Sequence, residues 1–192
     1  GWVAPAACPP GTHSQATNLT AAHGCTLCPA GASCVAGSLQ PLRCAPGTFT
    51  PSAGHSECLP CGAGSYQDEK GATACKDCIF NHHCAAGSTL PSPCPSGTTA
   101  NASLAVMTDA SQCIICPRGF WCAPGIIVAC EANFYNPTTG AADQTKCLPC
   151  PENSGMPAGA TASVAVSSCL CNRGYYNAAT HGSVHCLPCP SG

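Results

Sequence analysis

The spacing of the cysteines limits what this chain can fold into more than any other feature. Cys25, Cys28, Cys34 and Cys44 recur at Cys75, Cys78, Cys84 and Cys94, each 50 residues further on. A third copy, Cys113, Cys116, Cys122 and Cys130, closes two residues sooner. Six C-x-x-C pairs punctuate the chain: Cys25/Cys28, Cys58/Cys61, Cys75/Cys78, Cys113/Cys116, Cys147/Cys150 and Cys186/Cys189. A fixed period of this size marks a repeat array in which each unit touches mainly its neighbours.

Composition says what must hold such an array together. There are 21 cysteines in 192 residues, a density at which a chain reads as a disulfide scaffold. Leu, Ile, Val and Phe together number only 26. That is too few large apolar side chains to offset the entropy of ordering a chain of this length around one ordinary core. Disorder is a poor alternative, because disordered chains carry high net charge and this one carries −2 with 14 charged residues.

Cysteine this dense implies an oxidising, secreted or cell-surface setting. The sequons at Asn18 (Asn18-Leu-Thr) and Asn101 (Asn101-Ala-Ser) agree, and N-linked glycans are expected at both. The Ser-, Thr- and Pro-rich stretches Thr48 to Ser52 and Thr98 to Ser103 read as solvated loops able to carry O-linked sugars. The longest strongly apolar run, Ile126-Ile127-Val128-Ala129, is far too short to span a bilayer. Without a Lys/Arg cluster, nucleic-acid binding is not expected. The start at Gly1 reads as a mature segment of something longer.

Each unit opens on one phrase. Cys44-Ala-Pro-Gly-Thr-Phe, Cys61-Gly-Ala-Gly-Ser-Tyr and Cys171-Asn-Arg-Gly-Tyr-Tyr are clear versions. Cys8-Pro-Pro-Gly-Thr-His, Cys94-Pro-Ser-Gly-Thr-Thr and Cys130-Glu-Ala-Asn-Phe-Tyr are looser ones. Pro presets φ for a tight turn and Gly or Asn tolerates the positive φ it needs. A short β-prone stretch, a second Gly/Asn/Ala/Asp turn and a closing C-x-x-C follow. The expected fold is small and disulfide-rich: an elongated tandem array of short irregular β-hairpins, each closed by one disulfide, with almost no helix.

Sequential pairing fits the pattern: Cys8–Cys25, Cys28–Cys34, Cys44–Cys58, Cys61–Cys75, Cys78–Cys84, Cys94–Cys113, Cys116–Cys122, Cys130–Cys147, Cys150–Cys169 and Cys171–Cys186. Spacing cannot prove it, and crossed pairing stays open around Cys28/Cys34, Cys78/Cys84 and Cys116/Cys122. Cys189 is left over and begins another opening phrase, which reads as truncation in mid-repeat. The expected divisions are cysteine-rich repeats at 1–43, 61–93 and 94–129, single disulfide loops at 44–60, 130–149, 150–170 and 171–188, and the start of a further repeat at 189–192.

The run from Cys44-Ala-Pro-Gly-Thr-Phe through Cys58-Leu-Pro-Cys61-Gly-Ala-Gly-Ser-Tyr to Cys75-Lys-Asp-Cys78 resembles the growth-factor-receptor cysteine-rich superfamily. More narrowly it is similar to the ephrin-receptor-like repeats, with tumour-necrosis-factor-receptor modules as more distant relatives. The resemblance runs over most of Cys8 to Cys189. The insertions Cys28-Pro-Ala-Gly-Ala-Ser-Cys34 and Cys116-Pro-Arg-Gly-Phe-Trp-Cys122, with Ala/Thr/Ser/Pro-rich filler, resemble algal and protist surface glycoproteins such as the mastigoneme-like proteins. The shared motif is structural, so it implies a fold and no catalytic or binding residue.

The chemistry the residues could support is thin. C-x-x-C pairs with His13, His23, His55, His82, His83, His181 and His185 nearby raise a zinc site, but further cysteines fall between most neighbouring pairs, and disulfides are the expected state. His82-His83-Cys84 could be a ligand cluster or a Cys–His pair; the register of Cys84 favours a bridged cysteine beside a polar turn. Asp68-Glu69 reads as a solvated turn. Aromatics recur about five residues after an opening cysteine, at Phe49, Tyr66, Trp121, Tyr135 and Tyr176, with His13 and Thr99 in that place elsewhere. They read as rings packed over adjacent disulfides before a sugar- or protein-binding stripe. Trp2, outside the repeats, could pack against a neighbouring subunit or the preceding segment. No constellation has catalytic roles, and no cofactor or metal is expected. The function expected is an extracellular structural glycoprotein, a stapled rod that self-assembles head-to-tail or laterally into a fibre, coat or appendage. The alternative is a receptor or adhesion ectodomain presenting a face to other extracellular proteins.

Overall fold

Where bridged cysteines stand 14 to 19 positions apart, the loop has room for little more than two short strands and a turn. A computed structural model describes residues 6–16, 19, 21–179 and 182–190. Among them, twenty strands of two to four residues form ten two-stranded sheets. The fold is therefore a small disulfide-rich array of β-hairpins. The ten hairpins, numbered along the chain, span 8–28, 28–44, 44–61, 61–78, 78–94, 94–116, 116–130, 130–150, 150–172 and 171–189.

The opening phrase builds a β-turn each time. In the third hairpin the Thr48 N–H donates to the Ala45 carbonyl at 3.1 Å, with Gly47 at φ +82°. Pro46 stands at the second turn position and Gly47 at the third, the arrangement a type II turn requires. Asn81, Asn133 and Asn153 take the glycine's place in three hairpins, also at positive φ. Where the bridged cysteines are 17 or 19 residues apart, the extra length winds into a 3-10 turn just before the closing pair: Ala22–Gly24, Ala110–Gln112, Gln144–Lys146 and Val166–Ser168. Loops with a separation of 14 have none.

The chain divides into two compact units, Gly1–Ser92 with Ala105–Asp109, and Pro93–Leu104 with Ala110–Gly192. Inside each, recurring backbone hydrogen bonds join successive hairpins, three at the fully formed junctions. At the junction of the second and third hairpins, Gly31 N–H donates to Thr50 O, Cys34 N–H to His55 O, and Gly54 N–H to Cys28 O. The next junction repeats it with Gly47 to Gln67, Thr50 to Ala72, and Gly71 to Cys44. In the second unit the seventh and eighth hairpins are joined by Gly119 to Asn136, Cys122 to Ala141, and Gly140 to Cys116. These bonds satisfy backbone groups that a two-residue strand cannot satisfy alone.

Contacts also reach the next hairpin but one. A Cβ on Gly11 would lie 2.1 Å from the Gly54 carbonyl oxygen, and one on Gly31 would lie 2.2 Å from that of Gly71. Turn glycine therefore packs directly on loop glycine two hairpins away, so coupling extends past the immediate neighbours.

Sulfur fills the core. Cys28, Cys34, Cys61, Cys84, Cys94, Cys116 and Cys122 are fully buried, and Met107 is the one long apolar side chain buried with them among the described residues. Leu27, Leu42 and Ile115, on closing strands, stay 62 to 72% exposed. Stability rests on the staples. In the entropic account, loops of about 15 residues contribute roughly 3 kcal/mol each.

Candidate functional site

The sixth position after each opening cysteine organises the bridges. In three hairpins it is itself a cysteine: Cys34, Cys84 and Cys122, bonded back to Cys28, Cys78 and Cys116 across a separation of 6. These bridges tie the first strand to its own turn and do not cross the hairpin. The expectation of one disulfide closing every hairpin therefore needs correction at these three. The other seven bridges, Cys8–Cys25, Cys44–Cys58, Cys61–Cys75, Cys94–Cys113, Cys130–Cys147, Cys150–Cys169 and Cys171–Cys186, join the opening cysteine to the closing strand. All ten pairs run in order along the chain, and Cys189 is free and exposed.

In several long-bridged hairpins that same sixth position is a buried polar or small residue: Thr50, Gln67, Ala100 and Asn136. Thr50 Oγ1 donates to Ala32 O at 3.2 Å and lies 3.8 Å from Cys44 Sγ, where a second half-cystine sits elsewhere. Gln67 Nε2 donates to Ala74 O at 2.7 Å, and Asn136 Nδ2 donates to Phe120 O of the preceding hairpin at 2.8 Å. Sequence reasoning missed this node because its residues share no chemistry; only aligning the repeats on Cys28 and Cys44 exposes it. It also corrects the reading of Thr48 to Ser52 and Thr98 to Ser103 as solvated throughout, since Thr50 and Thr99 are buried.

The remaining candidates separate. Asn101 is half-buried in a surface turn, its Oδ1 accepting from the Ser103 N–H at 3.0 Å. Asn18 and Trp2 lie outside the described residues. Cys84 is bridged and so offers His83 no thiol, while His82 Nδ1 lies 2.9 Å from Phe80 O. Asp68 and Glu69 are not free turn carboxylates: Lys76 Nζ reaches them at 2.7 and 3.1 Å. The Lys76 hydrogen bond holds the Asp68 carboxyl below its usual range, and the two carboxylates push the Lys76 ammonium up. The Asp143 carboxyl, capping a 3-10 turn, is held low by the Thr145 hydroxyl and then by the Thr145 N–H. Among the described residues no three His, Cys, Asp or Glu side chains gather as a metal site.

Of the aromatic row, Phe49, Tyr66, Trp121 and Tyr135 are half-buried and Tyr176 is 46% exposed. Trp121 lines a cleft of about 80 Å³ together with Cys130 and Cys147, which form a bridge.

Residues 34–78 and 47–94 match the family model described as tyrosine-protein kinase ephrin type A/B receptor-like. The human signal peptide, CUB and EGF-like domain-containing protein 2 is 37% identical over 73 residues, 38% of this chain and 7% of that protein. Human protein 3 of the same description is 38% identical over 72 residues, again 38% and 7%. The rat sushi, von Willebrand factor type A, EGF and pentraxin domain-containing protein 1 is 29% identical over 141 residues, 71% of this chain and 3% of that protein. The chain thus spans less than a tenth of each relative. It is an extracellular, disulfide-rich array of cysteine-rich repeats, similar over residues 34–94 to the ephrin-receptor-like model.

Proposed function

We propose that this segment is a structural glycoprotein module that self-assembles into an extracellular fibre, coat or surface appendage of the mastigoneme-like kind. The observation that supports this most is the repeating junction of three backbone bonds between stapled hairpins. It lets units be added without a large core or a charged surface. The closing strands carry exposed Leu27, Leu42, Ile115 and Leu170, which lateral contact between copies would cover. N-glycans at Asn18 and Asn101 would supply the solubility that 14 charges do not.

A second reading, an ectodomain presenting a face to another extracellular protein, is favoured by the ephrin-receptor-like match over 34–94. Assembly state separates them. Negative-stain microscopy and light scattering on natively secreted material should find filaments or large oligomers. A monomer at high concentration that captures one soluble protein would overturn assembly in favour of the second reading. Intact mass should exceed the bare polypeptide by N-glycan increments.

A further inference from the structure

We infer that the cleft between the seventh and eighth hairpins receives a cationic side chain, the lysine of an extracellular partner protein. Its lining is Trp121, Val128, Ala129, Cys130, Glu131, Phe134, Gln144 and Cys147, all within one compact unit. Trp121 stands on strand Phe120–Ala123, opposite Val128. Phe134 stands on the first strand of the next hairpin, Phe134–Tyr135. The Cys130–Cys147 bridge links two further positions of the wall.

Three features select a cation. The lining holds a Trp and a Phe, and Trp is the ring that attracts cations most strongly. Its one charged group is the Glu131 carboxylate, with no basic side chain in the lining to neutralise it. Glu131 follows its opening cysteine directly, a place where the other nine hairpins carry Pro, Ala, Gly, Ile or Asn. The Gln144 amide adds an acceptor oxygen.

Size narrows the class. About 80 Å³ is roughly half of a cavity that takes benzene, about 150 Å³, so a sugar ring would not be enclosed. A methylene–ammonium head fits, and lysine presents one as a compact point charge on a flexible stem. The inference stands apart from self-assembly, because the cleft lies inside one chain.

The test is NMR of the folded chain, following the Trp121 indole and Phe134 ring resonances. The probe is Nα-acetyl-lysine-N-methylamide; the controls are its neutral Nε-acetyl analogue and methyl glucoside. The expected result is a saturable shift with the lysine probe in the millimolar range, weakened about five- to tenfold by Glu131→Gln, with no shift from either control. Equal shifts from the neutral analogue or the sugar would overturn the assignment. So would unchanged affinity in Glu131→Gln, or no saturable response to the lysine probe.

Discussion

The third and tenth hairpins carry the same staple but are held very differently. The third, bridged by Cys44–Cys58, exchanges three backbone hydrogen bonds with the hairpin before it and three with the one after. The tenth, bridged by Cys171–Cys186, begins inside the closing strand of the ninth, because Cys169-Leu170-Cys171 has one residue fewer than a C-x-x-C. Asn172 consequently takes the corner a cysteine holds elsewhere, donating to Asn153 O at 2.8 Å. Among the described residues, none of the three stacking bonds recurs between the ninth and tenth hairpins. The difference teaches that a disulfide shapes one hairpin, while the backbone ladder joins it to the rest.

Removing a bridge tests this most strongly. Replacing both Cys44 and Cys58 with Ala should cost about 2–5 kcal/mol and raise amide exchange across several hairpins, at Gly31, Gly47 and Gly71 alike. The Cys171→Ala, Cys186→Ala pair should raise exchange only within 171–189. Equal spread of the two effects would break the comparison. Glycine substitution comes next. Gly174→Ala meets open space and bears only the left-handed strain at φ +86°, about 1–2 kcal/mol. Gly31→Ala bears the same strain at φ +77° and also drives its Cβ into the Gly71 carbonyl, adding about 1–3 kcal/mol. Denaturation midpoints that fall equally would show that the glycine-on-glycine contact is not tight.

Much of the local structure was legible because it follows from short-range rules. Cys44-Ala-Pro-Gly-Thr-Phe specifies a turn with positive φ at Gly47, and Gly47 adopts it. The register across hairpins was not legible. Gly31 and Gly71 look like independent turn residues in the sequence, 40 positions apart, and only stacking puts them in contact. Thr50 and Cys34 share a structural place without sharing a side-chain type, so no motif connects them. The cleft was hidden for the same reason: Trp121, Glu131, Phe134 and Gln144 belong to different local elements. Trp121 was visible as one of a periodic row, but its partners were not.

The sixth-position residues sharpen the comparison at a smaller scale. Asn136 is fully buried and bonds to Phe120 O across a hairpin junction, while its Oδ1 accepts from Thr138 N–H at 3.0 Å. Asn136→Ala leaves that part-buried carbonyl without its partner and should cost about 1–3 kcal/mol. Asn177 holds the corresponding place in the tenth hairpin, but its bonds to Ser183, Ala179 and His185 stay within that hairpin and at the surface. Asn177→Ala should cost about 0.5–1.5 kcal/mol, without changing exchange outside 171–189. A long-range response to Asn177→Ala would mean that the tenth hairpin is integrated after all.

The smallest effect expected is electrostatic. Asp68 and Lys76 lie in the fourth hairpin, about 40% exposed, where solvent and salt screen the pair. The Asp68 pKa is depressed on folding, so its contribution is present above the ordinary carboxylate value and is lost as pH falls through the folded one. The Lys76 pKa is raised, so its contribution is present below the ordinary lysine value and is lost as pH rises through the folded one. Stability from this pair should be flat between about pH 5 and 9. Lys76→Met should lower the denaturation midpoint slightly at neutral pH and low salt, and the difference should vanish near pH 2 or in molar salt. A drop as large as that of Gly31→Ala would mean that charge, and not the backbone ladder, holds the fourth hairpin among its neighbours.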